Sequence, residues 1–342
     1  MLISTALLFV TFASTVTSCI DLPWLHQSQS CLGSPQVWEA RPSPGKGIGV
    51  YATRTLLPGD IILSEPPMIR LTPPEFRDGV AYPLSDIRTL LQSSFDALST
   101  QDKAEVMSLH AHMTPADRPD DVLMSIIRSN AYVIGNSLGL FPKGARINHS
   151  CRPNSSQYWS EQLGRRIVHA NRRIEEGEEI SATYIPLLHT HEARQSRLDQ
   201  YGFQCTCEAC ALEETARQAS DQRRQDLQKA FAAFESQLTL SVPQSVAGKK
   251  KAQRNAEASI QLTDLIEEEG LADYYVKAYH IAAVSHARIE QWRPATLWAN
   301  KGYEMSLLAD PKSPTTMELQ ALTSRFISNW NDELRNDILR QG

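Results

Sequence analysis

Three cysteines fall within six residues, at Cys205, Cys207 and Cys210. Such spacing is too tight for these thiols to pair with one another and is a metal-ligand pattern. Cys205-x-Cys207 places two side chains on the same side of an extended segment, because strand side chains repeat every second residue. A turn at Glu208-Ala209 would swing Cys210 back toward them. A structural zinc ion takes four tetrahedral ligands, so the cluster is one short. The missing ligand is to be found among Cys151, Cys19, Cys31 and the nine histidines. Cys151 is the preferred candidate, since it sits in an irregular stretch bounded by Pro153, where the backbone can be pinned. The rival reading is a reduced, partly buried thiol cluster without metal.

The elements that must position these groups read as strands, then helices, then strands, then helices. From Val37 to Leu71 short apolar runs (GIGVYAT, LLPGD, IILSE) alternate with turn signals, among them Pro58-Gly59-Asp60. The period then changes. Ile87, Leu90, Leu91, Phe95 and Leu98 share one helical face; Val106, Leu109 and Met113 mark a second helix, and Val122, Ile126, Ile127, Asn130 and Val133 a third. This predicts a helical insertion over about 72–135 that contains no cysteine. Residues 140–185 return to short strands with a turn at Glu176-Gly177-Glu178, and a helix is expected at 188–200. Beyond Ala211 the chain reads as all-helical: a charged helix over 211–238, a basic break at GKKK (248–251), and paired helices over 272–309 around a turn at Gln291-Trp292-Arg293-Pro294. The pair resembles a tetratricopeptide-like hairpin.

Four ordered motifs carry a family resemblance over residues 37–210. Asn148-His149-Ser150-Cys151, followed by Arg152-Pro153-Asn154, resembles the NHSCxPN core of SET-domain protein lysine methyltransferases. Gly45-Lys46-Gly47-Ile48-Gly49-Val50-Tyr51-Ala52 resembles their N-terminal cofactor loop. Ile174-Glu175-Glu176-Gly177-Glu178-Glu179-Ile180 through Tyr184 resembles their GEEI…Y segment, and Tyr201-Gly202-Phe203-Gln204-Cys205-Thr206-Cys207-Glu208-Ala209-Cys210 a post-SET CxCxxC tail. The layout is nearest the SET and MYND branch, but the insertion lacks the ligands of a MYND zinc module.

The resemblance implies an α+β fold: short β-sheets around a knot-like core, the helical insertion, a zinc-bound post-SET tail at 201–210 and a helical C-terminal domain at 211–342. It implies methyl transfer from S-adenosylmethionine to a protein lysine ε-amine, on a histone or another protein. Tyr184 is then the catalytic residue at the transfer point. Lys46, Gly47, Gly49, Asn148, His149 and Phe203 are the cofactor-binding residues: the glycines let the backbone approach, Lys46 seats the carboxylate, Asn148 and His149 hydrogen-bond the cofactor, and Phe203 packs over it. Cys151, Cys205, Cys207 and Cys210 are the zinc ligands, tying the tail to the NHSC segment as a lid. The alternative is a SET-fold scaffold without activity that grips a protein partner through its C-terminal helices. A scaffold has no need to keep Asn148, His149 and Tyr184 together.

The 342 residues carry a net charge of -5, with 42% hydrophobic and 21% charged side chains. That excludes a basic face of the kind direct nucleic-acid binding requires. The partner expected is a protein substrate with an accessible lysine, met by a monomer. Residues 1–20 hold no charged side chain, and Ala6–Ala13 has the length of a signal-peptide core, with Cys19 beyond a small-residue site. Ser and Thr dilute the run, so no transmembrane span is expected. Residues 21–36 read as a linker. A signal peptide would direct secretion, where Cys19 and Cys31 pair; thiolate zinc and S-adenosylmethionine instead favour the nucleus or cytoplasm.

Overall fold

Pro44, Gly45 and Lys46 reverse the chain between two strands, and the reversal depends on glycine. Gly45 and Gly47 have φ of 73° and 75°, a left-handed conformation that costs other residues energy. The strands so joined are β1 (Trp38–Ser43) and β2 (Gly47–Ala52), antiparallel from Trp38↔Ala52 to Ser43↔Gly47. The computed structural model describes residues 36–74, 84–115, 117, 118, 120–235 and 238–341. The leader-like segment 1–20, the linker up to residue 35, Cys19 and Cys31 lie outside the described residues.

Further strands are β3 (Ile61–Glu65), β4 (Ile69–Leu71), β5 (Ala131–Ile134), β6 (Ser137–Leu140), β7 (Asn148–His149), β8 (Ser155–Ser160), β9 (Arg165–Ala170) and β10 (Glu179–Ala182). They form small sheets in the orders β1-β2-β10-β7, β3-β9-β8 and β4-β6-β5. The β10–β7 pairing is parallel, with Ser181 opposite Asn148 and Ala182 opposite His149. It brings two motifs thirty residues apart in sequence side by side. Val50, Ala52, Leu56, Ile62, Ile147, Val168, Ile174 and Ile180 fill the core beneath.

Between β4 and β5 lie α1 (Leu84–Asp96), α2 (Thr100–Met107) and α3 (Val122–Asn130). Ile87, Leu91, Val106, Ile126 and Ile127 are buried, as their helical period requires, whereas Leu90 is exposed, and Leu109 and Met113 lie beyond the end of α2. Val133 is not part of that face. The helix ends at Asn130, Ala131 turns extended, and the β-prone run of residues 131–134 pairs with β6, leaving Val133 75% exposed.

After β10 come α4 (His191–Leu198), α5 (Glu214–Glu235), α6 (Val246–Glu268), α7 (Tyr275–Ala287), α8 (Trp292–Ala309) and α9 (Pro314–Gln341). α4 starts three residues later than the sequence suggests, where the Thr190 hydroxyl accepts from Ala193 N. The GKKK run is not a break: Ser245 caps α6 and the lysines lie in its first turns, while the interruption is the stretch around Pro243. The expected hairpin is present, but its turn falls at 288–291, with Glu290 at φ 58°; Trp292, Arg293 and Pro294 already belong to α8, where a proline in the first turn lacks no needed donor. Leu227, Phe231, Phe234, Leu262 and Ile266 of α5 and α6 pack in one cluster with Cys151, Leu187, Leu198 and Cys207. The helical region therefore buttresses the cysteine segment directly. No helix among the described residues is long and apolar enough to cross a membrane.

Candidate active site

The β1–β2 turn, the end of β7, the segment after β10 and the tail after α4 enclose a cleft of about 470 Å³. Lys46, Gly47, Asn148, His149, Tyr184 and Phe203 all line it. Lys46 does not reach into it as a free cation. Its ammonium pairs with Glu179 at 2.9 Å, and the other oxygen of that carboxylate accepts from Asn148 Nδ2 at 2.8 Å. Burial works to raise the Glu179 carboxyl, but the hydrogen bonds from Asn148 and Lys46 outweigh it and hold the group below its ordinary range. Gly49 stands behind the cleft instead of lining it. A Cβ there would meet Glu179 Oε1 at 2.5 Å and Asn148 Nδ2 at 3.0 Å, so its bareness serves the Asn148–Glu179 pair.

The His149 ring is committed to the protein. Its Nδ1 accepts from Tyr184 N at 3.1 Å, which leaves the proton on Nε2, 3.4 Å from Cys151 Sγ. Both ring nitrogens thus have partners within the protein. Asn154, 1% exposed, holds the motif against β10: its Oδ1 accepts from Ser181 N and its Nδ2 donates to Glu179 O.

Tyr184 stands where two cavities meet. A second one, of about 200 Å³, is lined by Tyr132, Gln157 and Thr183; Asn130, Tyr184 and Tyr201 belong to both. The Tyr184 hydroxyl donates to Ile147 O at 2.7 Å, and its ring is 5.2 Å from that of Tyr201 and 6.4 Å, edge-on, from that of Phe203. Burial holds its phenol well above the usual range, so it stays protonated and neutral. Tyr201, Asn130, Tyr132 and Glu179 were given no role by the sequence reading. Only Tyr201 and Glu179 had a signal, since both fall inside quoted motifs.

The sulfurs of Cys151, Cys205, Cys207 and Cys210 all lie within 4.8 Å of one another. Cys210 N and Ala211 N donate to Cys207 O, which makes the expected turn at Glu208-Ala209. None of the four is in a disulfide. Arg194 of α4, 1% exposed, lies against Cys151 and Cys210 with Nε and Nη2 buried and unpartnered. The guanidinium also donates from Nη1 to His189 O and pairs with Asp221 at 3.3 Å, which leaves two donors idle beside the cluster. It suits a zinc tetrathiolate, which carries a net charge of about -2. The donor set therefore fits a structural zinc ion. On the other side of the cluster, Arg224 of α5 donates to Cys151 O at 3.1 Å and Leu187 O at 2.8 Å.

Residues 47–185 match the family described as SET domain. Over 195 residues the chain is 34% identical to Histone-lysine N-methyltransferase set5 of Schizosaccharomyces pombe, covering 56% of this chain and 56% of that one. It is 36% identical over 92 residues to Histone-lysine N-methyltransferase SMYD3 of Mus musculus, covering 25% and 21%. It is 33% identical over 138 residues to N-lysine methyltransferase SMYD2 of Bos taurus, covering 37% and 29%. The chain spans about half, or less, of the length of these curated relatives. A solved structure of Rubisco LSMT bound to AdoMet aligns over 84% of this chain at 14% identity and a TM-score of 0.31, too loose a likeness to place any residue.

Proposed function

We propose that the SET domain of residues 47–185 makes this chain an S-adenosylmethionine-dependent methyltransferase acting on a protein lysine ε-amine. The observation that carries this reading is the meeting of two cavities at Tyr184, a large one lined by the cofactor motifs and a small one lined by Tyr132, Gln157 and Thr183. A transfer enzyme must bring two reactants to one point, and must orient them more than react with them. When bound, S-adenosylmethionine supplies a methyl group on a sulfonium.

The chain's own residues do the rest. Gly47 and the Asn148–His149 main chain face the cofactor cleft, with the Lys46–Glu179–Asn148 group fixing their positions. Phe203 and Tyr201 exclude water from its inner end. Tyr184, neutral and anchored on Ile147 O, presents a preorganised dipole where charge redistributes. The cysteines hold zinc, which ties the Phe203 segment to the NHSC loop. Four unpaired thiols so close together suit a reducing compartment, nuclear or cytoplasmic. Relatives named for histone lysine support histones as one acceptor class, and SMYD2, named for lysine alone, supports others.

The test is calorimetric binding of S-adenosylmethionine to the zinc-loaded chain beside Asn148→Ala and Tyr184→Phe. The parent is expected to bind, Asn148→Ala to lose at least about tenfold in affinity, and Tyr184→Phe to bind yet transfer no methyl. A zinc-loaded parent that does not bind removes the methyltransferase reading.

A further inference from the structure

β9 carries a buried cation that the reading above leaves unused. Arg166 is 4% exposed. Its guanidinium lies over the Tyr132 ring and 5.6 Å from the centre of the Phe141 ring. Both Nη atoms are buried and have no hydrogen-bond partner among the described residues. Tyr132 in turn lines the 200 Å³ cavity together with Tyr184 and Tyr201. The charge therefore sits one ring behind the wall of the acceptor channel. It is felt at the Tyr184 hydroxyl, where it opposes the rise that burial imposes.

Of the groups that face Arg166, Glu65 offsets its charge, and only in part. From β3, Glu65 is its direct cross-strand partner, but that carboxylate is turned to Lys143 N and Gly144 N at 3.0 and 2.9 Å. Burial also pushes the Glu65 carboxyl upward, toward its neutral form. β8 contributes Trp159 opposite Arg166, β5 contributes Tyr132, and the segment after β10 contributes Tyr184; all three are uncharged. Lys143, beyond Glu65, is a second cation. Arg165, the neighbour in β9, turns away to Ser64. A guanidinium keeps its proton even when buried.

Resting on the methyltransferase reading, we propose that Arg166 is an incompletely compensated buried charge whose field favours the neutral, attacking form of the acceptor lysine amine. An ammonium has no lone pair, and free lysine is protonated at neutral pH. A like charge held nearby in a dry wall disfavours the ammonium and supports the amine. The proton leaves to water; Arg166 neither accepts it nor touches the nitrogen. It tunes the channel through Tyr132, and the attacking electron pair belongs to the substrate.

The experiment is the pH dependence of methyl transfer at saturating S-adenosylmethionine, with a library of lysine-bearing peptides as acceptor, for the parent, R166M and R166K. In R166M the acid limb of the profile is expected to move up by about one pH unit, a roughly tenfold loss on the acid side. The two profiles should converge at high pH, and R166K should retain the parent's limb. Binding of S-adenosylmethionine reports folding of each variant, and R166Q takes the place of R166M if the latter does not fold. An unchanged limb in an active R166M or R166Q overturns the proposal. So does an equal loss at every pH in both the neutral variant and R166K, which would make the residue structural. A parent that binds cofactor but methylates no peptide overturns the methyltransferase reading itself.

Discussion

At Gly49 one missing methyl group decides whether a charged triad can exist. Its would-be Cβ falls 2.5 Å from Glu179 Oε1, and that carboxylate holds both Lys46 and Asn148. Gly49→Ala is therefore expected to push Glu179 aside and weaken S-adenosylmethionine binding about tenfold. The core of β2 should survive, because Val50 and Ala52 keep their packing. Calorimetry beside a thermal melt separates the two effects; undiminished affinity with a normal melt would show that the triad does not shape the cleft. The sequence made Asn148, His149, Tyr184, Phe203 and the four cysteines legible, because each lies in a short motif whose neighbours fix its meaning. It did not disclose what the His149 ring bonds to, nor that the bareness of Gly49 serves Glu179. Both depend on the approach of β10 to β7 and β2, a tertiary contact that no local spacing encodes. Tyr132, Asn130 and Arg166 come from the insertion and from β9, where nothing local distinguishes them from ordinary core residues.

One element scale up, the cysteine cluster acts as a joint between α4, the loop after β7 and α5. Glu269, fully buried at the end of α6, receives Ser220, Arg223 and Arg224, and Arg224 reaches on to Cys151 O. Breaking a buried pair strands the remaining charge, at a cost of about 3–5 kcal/mol. Glu269→Gln is expected to lower the melting temperature by several degrees and to loosen the cysteine loop, read as faster reaction of its thiols with a probe. An unchanged melt would show that the charges are already compensated elsewhere. Chelation should act more locally. With the metal gone, nothing ties the four sulfurs together, and the segment around Phe203 has too little apolar surface of its own to stay ordered. Cofactor binding and turnover should vanish while far-UV circular dichroism keeps the strand and helix signal. A chelated protein with full turnover would sink the lid role of this segment. The sequence disclosed these cysteines because CxCxxC is a strong pattern, but not Arg224 beside them, whose partners lie 37–73 residues away.

Across the whole molecule, the β3-β9-β8 sheet faces the helical region over a recess of about 360 Å³ lined by Tyr158, Trp159, His169, Val276, Met305 and Leu308. The all-helical character of that region is plain from its period and its lack of strand runs. Its exact joints are not, since Ser245 and Thr190 act as caps through side-chain geometry that composition does not reveal. His169, 7% exposed at this boundary, has an Nδ1 with no partner, and burial pushes it down from 6.5 to about 4. The sign of the pH effect follows. The unfolded chain takes up the proton as pH falls below 6.5, while the folded ring resists until about 4. Stability from this group is thus complete above 6.5 and lost as pH falls toward 4, by about 3 kcal/mol in all. Denaturant titrations near pH 7 and near pH 5 should show the parent losing about 2 kcal/mol more than His169→Gln. Equal losses in the two proteins would mean that the ring is hydrated and that water reaches the boundary between sheet and helices.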